Sequence, residues 1–189
     1  MDDDIKGFES FMDDIHGWTE IKTFDKAYAI ANDAHKGQLR DEGIPYISHI
    51  DGVLDILRNE LKIRMDFILS VAAMHDVLED SDKYSYQDLV KYFGTGMADD
   101  VMLLTKKEGQ NVQEYLQEIN NSKSAGYLMT VKLADRLNNI RCLGKIDDQE
   151  KKARKCAETR KYYMDYAKTT NSYIYTELEK ALVNVEKDV

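Results

Sequence analysis

Apolar residues recur at three- and four-residue intervals along most of the chain, the period of helices that turn one face toward a core. The pattern predicts helices over residues 5–15, 23–36, 49–61, 64–80, 85–93, 98–106, 112–120, 124–143, 148–167 and 172–187. Thr23 can cap the start of the second, and Gly37 can close its end in a left-handed conformation. Gly94, Gly96 and Gly109 stand where later helices should stop. Residues 37–46 break the pattern, because they contain two glycines and the single proline of the chain. With no internal repeat, low-complexity tract or linker, the expectation is an all-α, compact helical bundle forming one domain over residues 1–189.

Composition sharpens this expectation. A chain of 189 residues suits one domain with a sizeable core, and 43% hydrophobic with 32% charged residues describes a soluble, globular protein. The net charge of −9 argues against a general nucleic-acid-binding surface, so an anionic substrate would need locally concentrated cations. Cys142 and Cys156 lack a CxxC spacing and read as reduced thiols. The start Met1-Asp2-Asp3-Asp4 is acidic where a secretory signal is basic. No apolar run approaches the roughly twenty residues needed to span a bilayer. A cytoplasmic protein without a membrane or nucleic-acid partner is expected.

The candidate chemistry starts at His75-Asp76, followed by Glu79-Asp80. If the helix runs through these residues, His75 lies over Glu79 and Asp76 over Asp80, and all four side chains can face one pocket. The apolar run before them, Phe67 to Met74, implies burial, where ionised carboxylates are paired, protonated or bound to metal. A single His-Asp dipeptide is weak evidence, since a lone helical histidine is more often a satisfied core residue. Two further residues strengthen it. His49 follows the proline-containing loop, and Asp135 lies in the apolar stretch Val131-Lys132-Leu133-Ala134-Asp135-Arg136-Leu137. From local sequence alone, Asp135 could instead belong to a buried salt bridge with Arg136 or Arg141.

Four separated blocks then resemble the hydrolase domain of the RelA/SpoT family, the HD-type enzymes that remove the 3′-diphosphate of the alarmone ppGpp. They are Ala34-His35-Lys36-Gly37-Gln38-Leu39-Arg40 with Gly43-Ile44-Pro45-Tyr46-Ile47-Ser48-His49, Ala72-Ala73-Met74-His75-Asp76-Val77-Leu78-Glu79-Asp80, Leu104-Thr105-Lys106, and Lys132-Leu133-Ala134-Asp135-Arg136-Leu137-Asn138-Asn139. The likeness covers about residues 34–143, fits small single-domain forms and leaves no room for a synthetase domain. It implies a guanosine-3′,5′-bis(diphosphate) 3′-pyrophosphohydrolase, in which His49, His75, Asp76 and Asp135 hold one divalent ion, typically Mn2+. Two imidazoles with two carboxylates also suit iron or zinc better than calcium.

Glu79 and Asp80 are the candidates for proton handling around the attacked phosphorus, the alternative being exposed acids preceding the next helix. The resemblance implies that Arg40 packs against the purine, as a planar cation can. Tyr46 either shapes the same pocket or packs the turn. Asn139, one turn beyond Asp135, can reach a ribose or phosphate; Asn138 could be its solvent-facing neighbour. Lys132, Arg136 and Arg141 are candidates for local positive charge, and Tyr163 or Tyr162 for an aromatic contact or a core residue. His35 reads as a helix-end or supporting residue, and His16 as peripheral. Asp41 and Glu42 depart from the family pattern, because two acids beside an anionic substrate repel it. That departure keeps ppApp, NADPH or a nucleoside monophosphate open as substrates, together with a non-catalytic alarmone-binding role.

Overall fold

The structure, a computed structural model, describes residues 23–187, so the helix expected at 5–15 and His16 lie outside the described residues. Ten α-helices follow: α1 Thr23–Ala34, α2 Ile47–Asp55, α3 Asp66–Ala73, α4 Tyr86–Phe93, α5 Thr95–Leu104, α6 Val112–Asn121, α7 Ala125–Leu143, α8 Gln149–Tyr162, α9 Met164–Thr170 and α10 Ser172–Glu186. The all-α expectation is borne out, and the extended pairing among the described residues is one isolated bridge between Leu39 and Pro45.

The fold is organised around α7. Leu128, Val131, Leu133, Ala134, Leu137 and Ile140 are all fully buried. Because these positions go most of the way round the helix, α7 needs neighbours on nearly every side. It packs against α2, α3, α5, α6, α8, α9 and α10. One face carries Lys132, Asp135, Arg136 and Asn139 at three- and four-residue spacing, the polar stripe of an otherwise apolar helix. Helix α1 covers α3 from outside, and α4 and α5 form a short pair beside it.

Several ends shift by two or three residues, and Gly96, expected at a helix stop, lies in the first turn of α5; three boundaries differ in kind. The helix over 64–80 ends at Ala73, and residues 74–79 form a succession of turns. Met74 leaves helical geometry at φ −97° and ψ 4°, and the His75 Nδ1 hydrogen donates to the Ala72 carbonyl at 2.8 Å. The side chain thereby takes a carbonyl left free at the helix end. The helix over 148–167 breaks at Tyr163, whose hydroxyl is drawn inward to Arg136 at 2.6 Å. The helix over 49–61 ends as a π-helical turn, Ile56–Glu60, with Leu61 N donating to Ile56 O at 2.9 Å.

The loop before α2 is a tight excursion. Gly37 and Gly43 have φ of +83° and +74°, conformations that cost a residue with a Cβ about 1–2 kcal/mol. Arg40 N donates to Ile44 O at 2.9 Å and Tyr46 N to Gln38 O at 3.0 Å, which closes the loop and aims Arg40 across the mouth of the site. Among the described residues no helix is long and apolar enough to cross a membrane.

Helix α4 carries a complete capping box, in which the Ser85 hydroxyl accepts from Asp88 N and Asp88 Oδ2 accepts from Ser85 N. Ser85→Ala is expected to lower unfolding free energy by about 1 kcal/mol in denaturant titration, with no effect on metal binding. A change below a few tenths of a kcal/mol would mean that α4 does not depend on its cap.

Candidate metal centre

Three elements bring the donor groups together. His49 projects from the first turn of α2, His75 and Asp76 from the turn after α3, and Asp135 from the polar stripe of α7. All four are buried. His49 Nε2 lies 3.3 Å from His75 Nε2, 3.4 Å from Asp76 Oδ2 and 3.2 Å from Asp135 Oδ1. His75 Nε2 lies 3.1 Å from Asp76 Oδ2 and 3.8 Å from Asp135 Oδ1. His49, His75 and Asp76 form a cluster able to hold a divalent metal ion, with one ligand atom from each within 4.8 Å of the others. Asp135 closes the cluster from the α7 side.

The protons of the two rings test whether a cation fits. The Ala72 carbonyl only accepts, so it holds the His75 hydrogen on Nδ1; Asn138 Oδ1, 2.8 Å from His49 Nδ1, does the same for His49. Each neutral ring then presents a bare Nε2, and the two face each other among carboxylate oxygens. That arrangement repels itself unless protons or a metal cation lie between the donors. Metal–nitrogen and metal–oxygen bonds of about 2.1 Å, at tetrahedral or octahedral angles, put neighbouring donors roughly 3.0–3.4 Å apart. Most of the observed separations fall in or near that interval.

Electrostatics carry the same message. Burial alone would lower the basicity of His75, but the Asp76 and Asp135 carboxylates outweigh it and raise the ring to about 10. His49 is raised against burial by the same two acids. Burial pushes Asp76 up, yet His75 and His49 hold it well below the carboxylate range. Asp135 is likewise held down against burial, chiefly by Lys132, whose Nζ is 2.8 Å from Asp135 Oδ2. The site is thus a sink for positive charge.

A cavity of about 360 Å³ opens from this cluster. Glu79 and Asp80 stand at one side of it, both exposed as residues. They reach it from turns and not by helical stacking on His75 and Asp76: Asp80 N donates to Asp76 O at 2.9 Å and Glu79 N at 3.2 Å. Glu79 Oε2 accepts from Lys106 N at 2.8 Å, and partial desolvation at the cavity raises its carboxyl above the usual value. The Tyr46 hydroxyl lies 2.6 Å from Asp76 Oδ2 and 2.7 Å from Asp80 Oδ2. Its single hydrogen cannot fully serve both, so Tyr46 ties a candidate ligand to a candidate acid. Its ring stacks on His35 at 4.3 Å, which gives His35 a supporting place.

Across the cavity, Arg40 donates to Asn139 Oδ1 at 3.0 Å and lies 3.4 Å from Glu42. Asn139 in turn donates to Asp135 Oδ1 at 2.5 Å, so Arg40 is linked through it to the donor cluster. Lys132 and Tyr163 also line the cavity. The Tyr163 ring is stacked 3.9 Å under the Arg136 guanidinium, which also pairs with Glu158 at 2.7 Å. Asp135 therefore does not pair with Arg136, and Arg141 points elsewhere, to Glu60 at 2.6 Å and Glu177 at 2.8 Å. Asp41 is exposed and paired with Lys151 on α8. Lys151, Lys155 and Glu158 line the cavity without having been singled out from sequence, and Lys106, quoted there only within a block, lines it too. The basic run 151–155 was visible, but the helix docking decides which of its lysines face inward.

An HD domain family model matches residues 27–169. The chain belongs to the HD domain family. This HD domain is 34% identical over 171 residues to the bifunctional (p)ppGpp synthase/hydrolase SpoT of Escherichia coli (strain K12), an alignment covering 85% of this chain and 24% of that one. It is 36% identical over 113 residues to guanosine-3′,5′-bis(diphosphate) 3′-pyrophosphohydrolase MESH1 of Drosophila melanogaster, covering 58% and 63% of the two chains. A solved structure described as a metazoan ortholog of SpoT that hydrolyzes ppGpp superposes with a TM-score of 0.75 at 28% identity, covering 87% of this chain and 96% of that one. The expected RelA/SpoT likeness is borne out. The chain spans about a quarter of the length of the SpoT relatives.

If the cluster holds a cation, His75→Ala removes one donor and leaves His49 as the only ring beside the two buried acids. Calorimetric titration with Mn2+ should then show binding weakened at least about 100-fold relative to the unaltered chain. Unchanged affinity would place the ion elsewhere.

Proposed function

We propose that this HD domain is a divalent-metal-dependent hydrolase that removes the 3′-diphosphate of the guanosine alarmones ppGpp and pppGpp, releasing pyrophosphate with GDP or GTP. The observation that carries the reading is the cavity itself: His49, Asp76 and Asp135 at its floor with His75 buried behind them, two carboxylates on one side and the Arg40–Asn139 pair on the other. The names of SpoT and MESH1 support the same chemistry.

In this reading His49, His75, Asp76 and Asp135 hold the ion, with Mn2+ the favoured occupant. When bound, it supplies Lewis-acid assistance to attack of water on a phosphoryl group. Glu79 is the base: its raised carboxyl is suited to taking a proton from the attacking water, and the Lys106 N–H fixes its orientation. Asp80, oriented by the Tyr46 hydroxyl, is placed to relay a proton from water to the ribose 3′ oxygen as its bond to phosphorus breaks. Lys132 is committed to Asp135 and acts on phosphate through its field more than through a free ammonium group. Arg40 stacks on the guanine, and Asn139 holds that guanidinium in place while its edge faces the ribose. Tyr163 forms the far wall, rigid because Arg136 lies on its face. In this reading the partner of the HD domain is a small nucleotide, and its setting is the cytoplasm.

Asp41 no longer counts strongly against an anionic substrate, since Lys151 offsets its charge and holds its carboxyl below the usual value.

Incubation of the purified chain with ppGpp and Mn2+ should yield GDP and pyrophosphate on ion-exchange chromatography, and a chelator should abolish both products. Metal uptake without turnover would leave a binding role or another nucleotide. Glu79→Gln should reduce kcat by about 10²–10⁴-fold while Mn2+ still binds. For Asp41→Asn, which frees Lys151 to meet phosphate, steady-state kinetics should show KM falling several-fold at constant kcat. A rise in KM would show that Asp41 helps substrate instead.

A further inference from the structure

Asn138 does not face solvent as an idle neighbour of Asn139, nor does it line the cavity. It lies behind the donor cluster, with Oδ1 2.8 Å from His49 Nδ1. The room for its amide comes from Gly52, where a Cβ would stand 2.1 Å from Asn138 Nδ2 and 3.0 Å from Asn138 Cγ. Gly52 is inside α2 and is not among the positive-φ glycines, so its backbone conformation does not require glycine. A glycine there costs the helix about 0.5–1 kcal/mol relative to alanine. It sits three residues beyond His49, on the same face of α2, where that face meets α7. The glycine therefore makes space for one particular contact.

We propose that Gly52 and Asn138 form a tautomer lock for His49, in which the missing side chain lets the Asn138 carbonyl hold the ring hydrogen on Nδ1 and turn the bare Nε2 toward the metal position. Asn138 is a positioning residue: it touches neither ion nor substrate and acts through His49. The function of the lock rests on the metal reading of the cluster, whereas its existence does not.

Five variants of the full chain test it, Asn138→Leu, Asn138→Asp, Asn138→Ala, Gly52→Ala and Gly52→Ala with Asn138→Ala. Two measurements are made on each: Mn2+ affinity by calorimetry, and the His49 ring nitrogens by long-range proton–nitrogen NMR on metal-free protein at a pH where the ring is neutral. Asn138→Leu and Gly52→Ala should weaken Mn2+ binding about 10–100-fold, the range for losing a group that orients a ligand. Asn138→Asp, which keeps an acceptor at the same place, should bind at least as well as the unaltered chain. Combining Gly52→Ala with Asn138→Ala should add no loss beyond that of Asn138→Ala measured alongside, because the side chain struck by the new methyl is gone. The ring spectrum should show hydrogen on Nδ1 in the unaltered chain and mixed tautomers in Asn138→Leu. Unchanged Mn2+ affinity and an unchanged ring spectrum in Asn138→Leu would overturn the lock. If the unaltered chain takes up no Mn2+, the metal reading fails, and the ring spectrum alone still decides whether the lock exists.

Discussion

Two imidazoles flanked by two carboxylates, each carboxylate within 3.8 Å of both rings, are the constraint inside the helical core to which the rest of the molecule answers. Such a group is costly to bury, and removing one partner from a buried charged set typically costs about 3–5 kcal/mol. It persists because every member has a second contact. His75 is held by the Ala72 carbonyl, His49 by Asn138, Asp76 by Tyr46, and Asp135 by Lys132 and Asn139. These contacts orient the donors toward one point and leave them short of positive charge at that point. A divalent ion satisfies that demand more fully than protons shared between the rings.

The packing serves the same end. Helix α7 is surrounded by seven other helices, and burial of its apolar positions fixes its rotation to within the reach of a side chain. Once that rotation is set, Lys132, Asp135, Arg136 and Asn139 have no choice but to face the cavity. The polar stripe is then divided between tasks. Lys132 and Asp135 belong to the donor cluster, Asn139 links Asp135 to Arg40, and Arg136 anchors Glu158 and Tyr163 as the far wall. A shift of α7 would disturb the donor cluster, the Arg40–Asn139 pair and the wall together, which couples the stability of the core to the geometry of the site.

The mouth of the cavity is built differently, from pairs of opposite charge. Arg40 with Glu42, Asp41 with Lys151, and Arg136 with Glu158 keep cations in place before a ligand arrives. Exposed pairs of this kind are worth only about 0–1 kcal/mol, so Asp41 and Lys151 can separate at little cost. The buried pairing of Arg136 is of another order and is structural. A negative protein overall can therefore hold cations at one place, each offset by an acid, without carrying them as an unpaired surface patch.

How much of this was legible along the chain follows from the range of the forces involved. Helical periodicity is local, so the all-α fold, most helix positions and the burial of α7 could be read directly. His75, Asp76 and Asp135 stood out because ionisable groups in or beside apolar stretches require partners, but their grouping with His49 as one ligand set was implied by the RelA/SpoT resemblance. The path of the chain through His75 to Asp80 was not legible, since a helix end there depends on the His75 side chain capturing a carbonyl, a choice stabilised by packing and not by propensity. The break at Tyr163 is similar, because Arg136 lies 27 residues away in sequence. Asn138 looked like a spare amide until α2 and α7 met, and Gly52 carried no signal at all, because what it provides is an empty volume defined by another helix. Sequence by itself determined which residue types had to be buried together and in which kind of element. Only the tertiary structure decided which neighbour each would meet, since contacts between helices distant in sequence arise from shape and cannot be read from spacing.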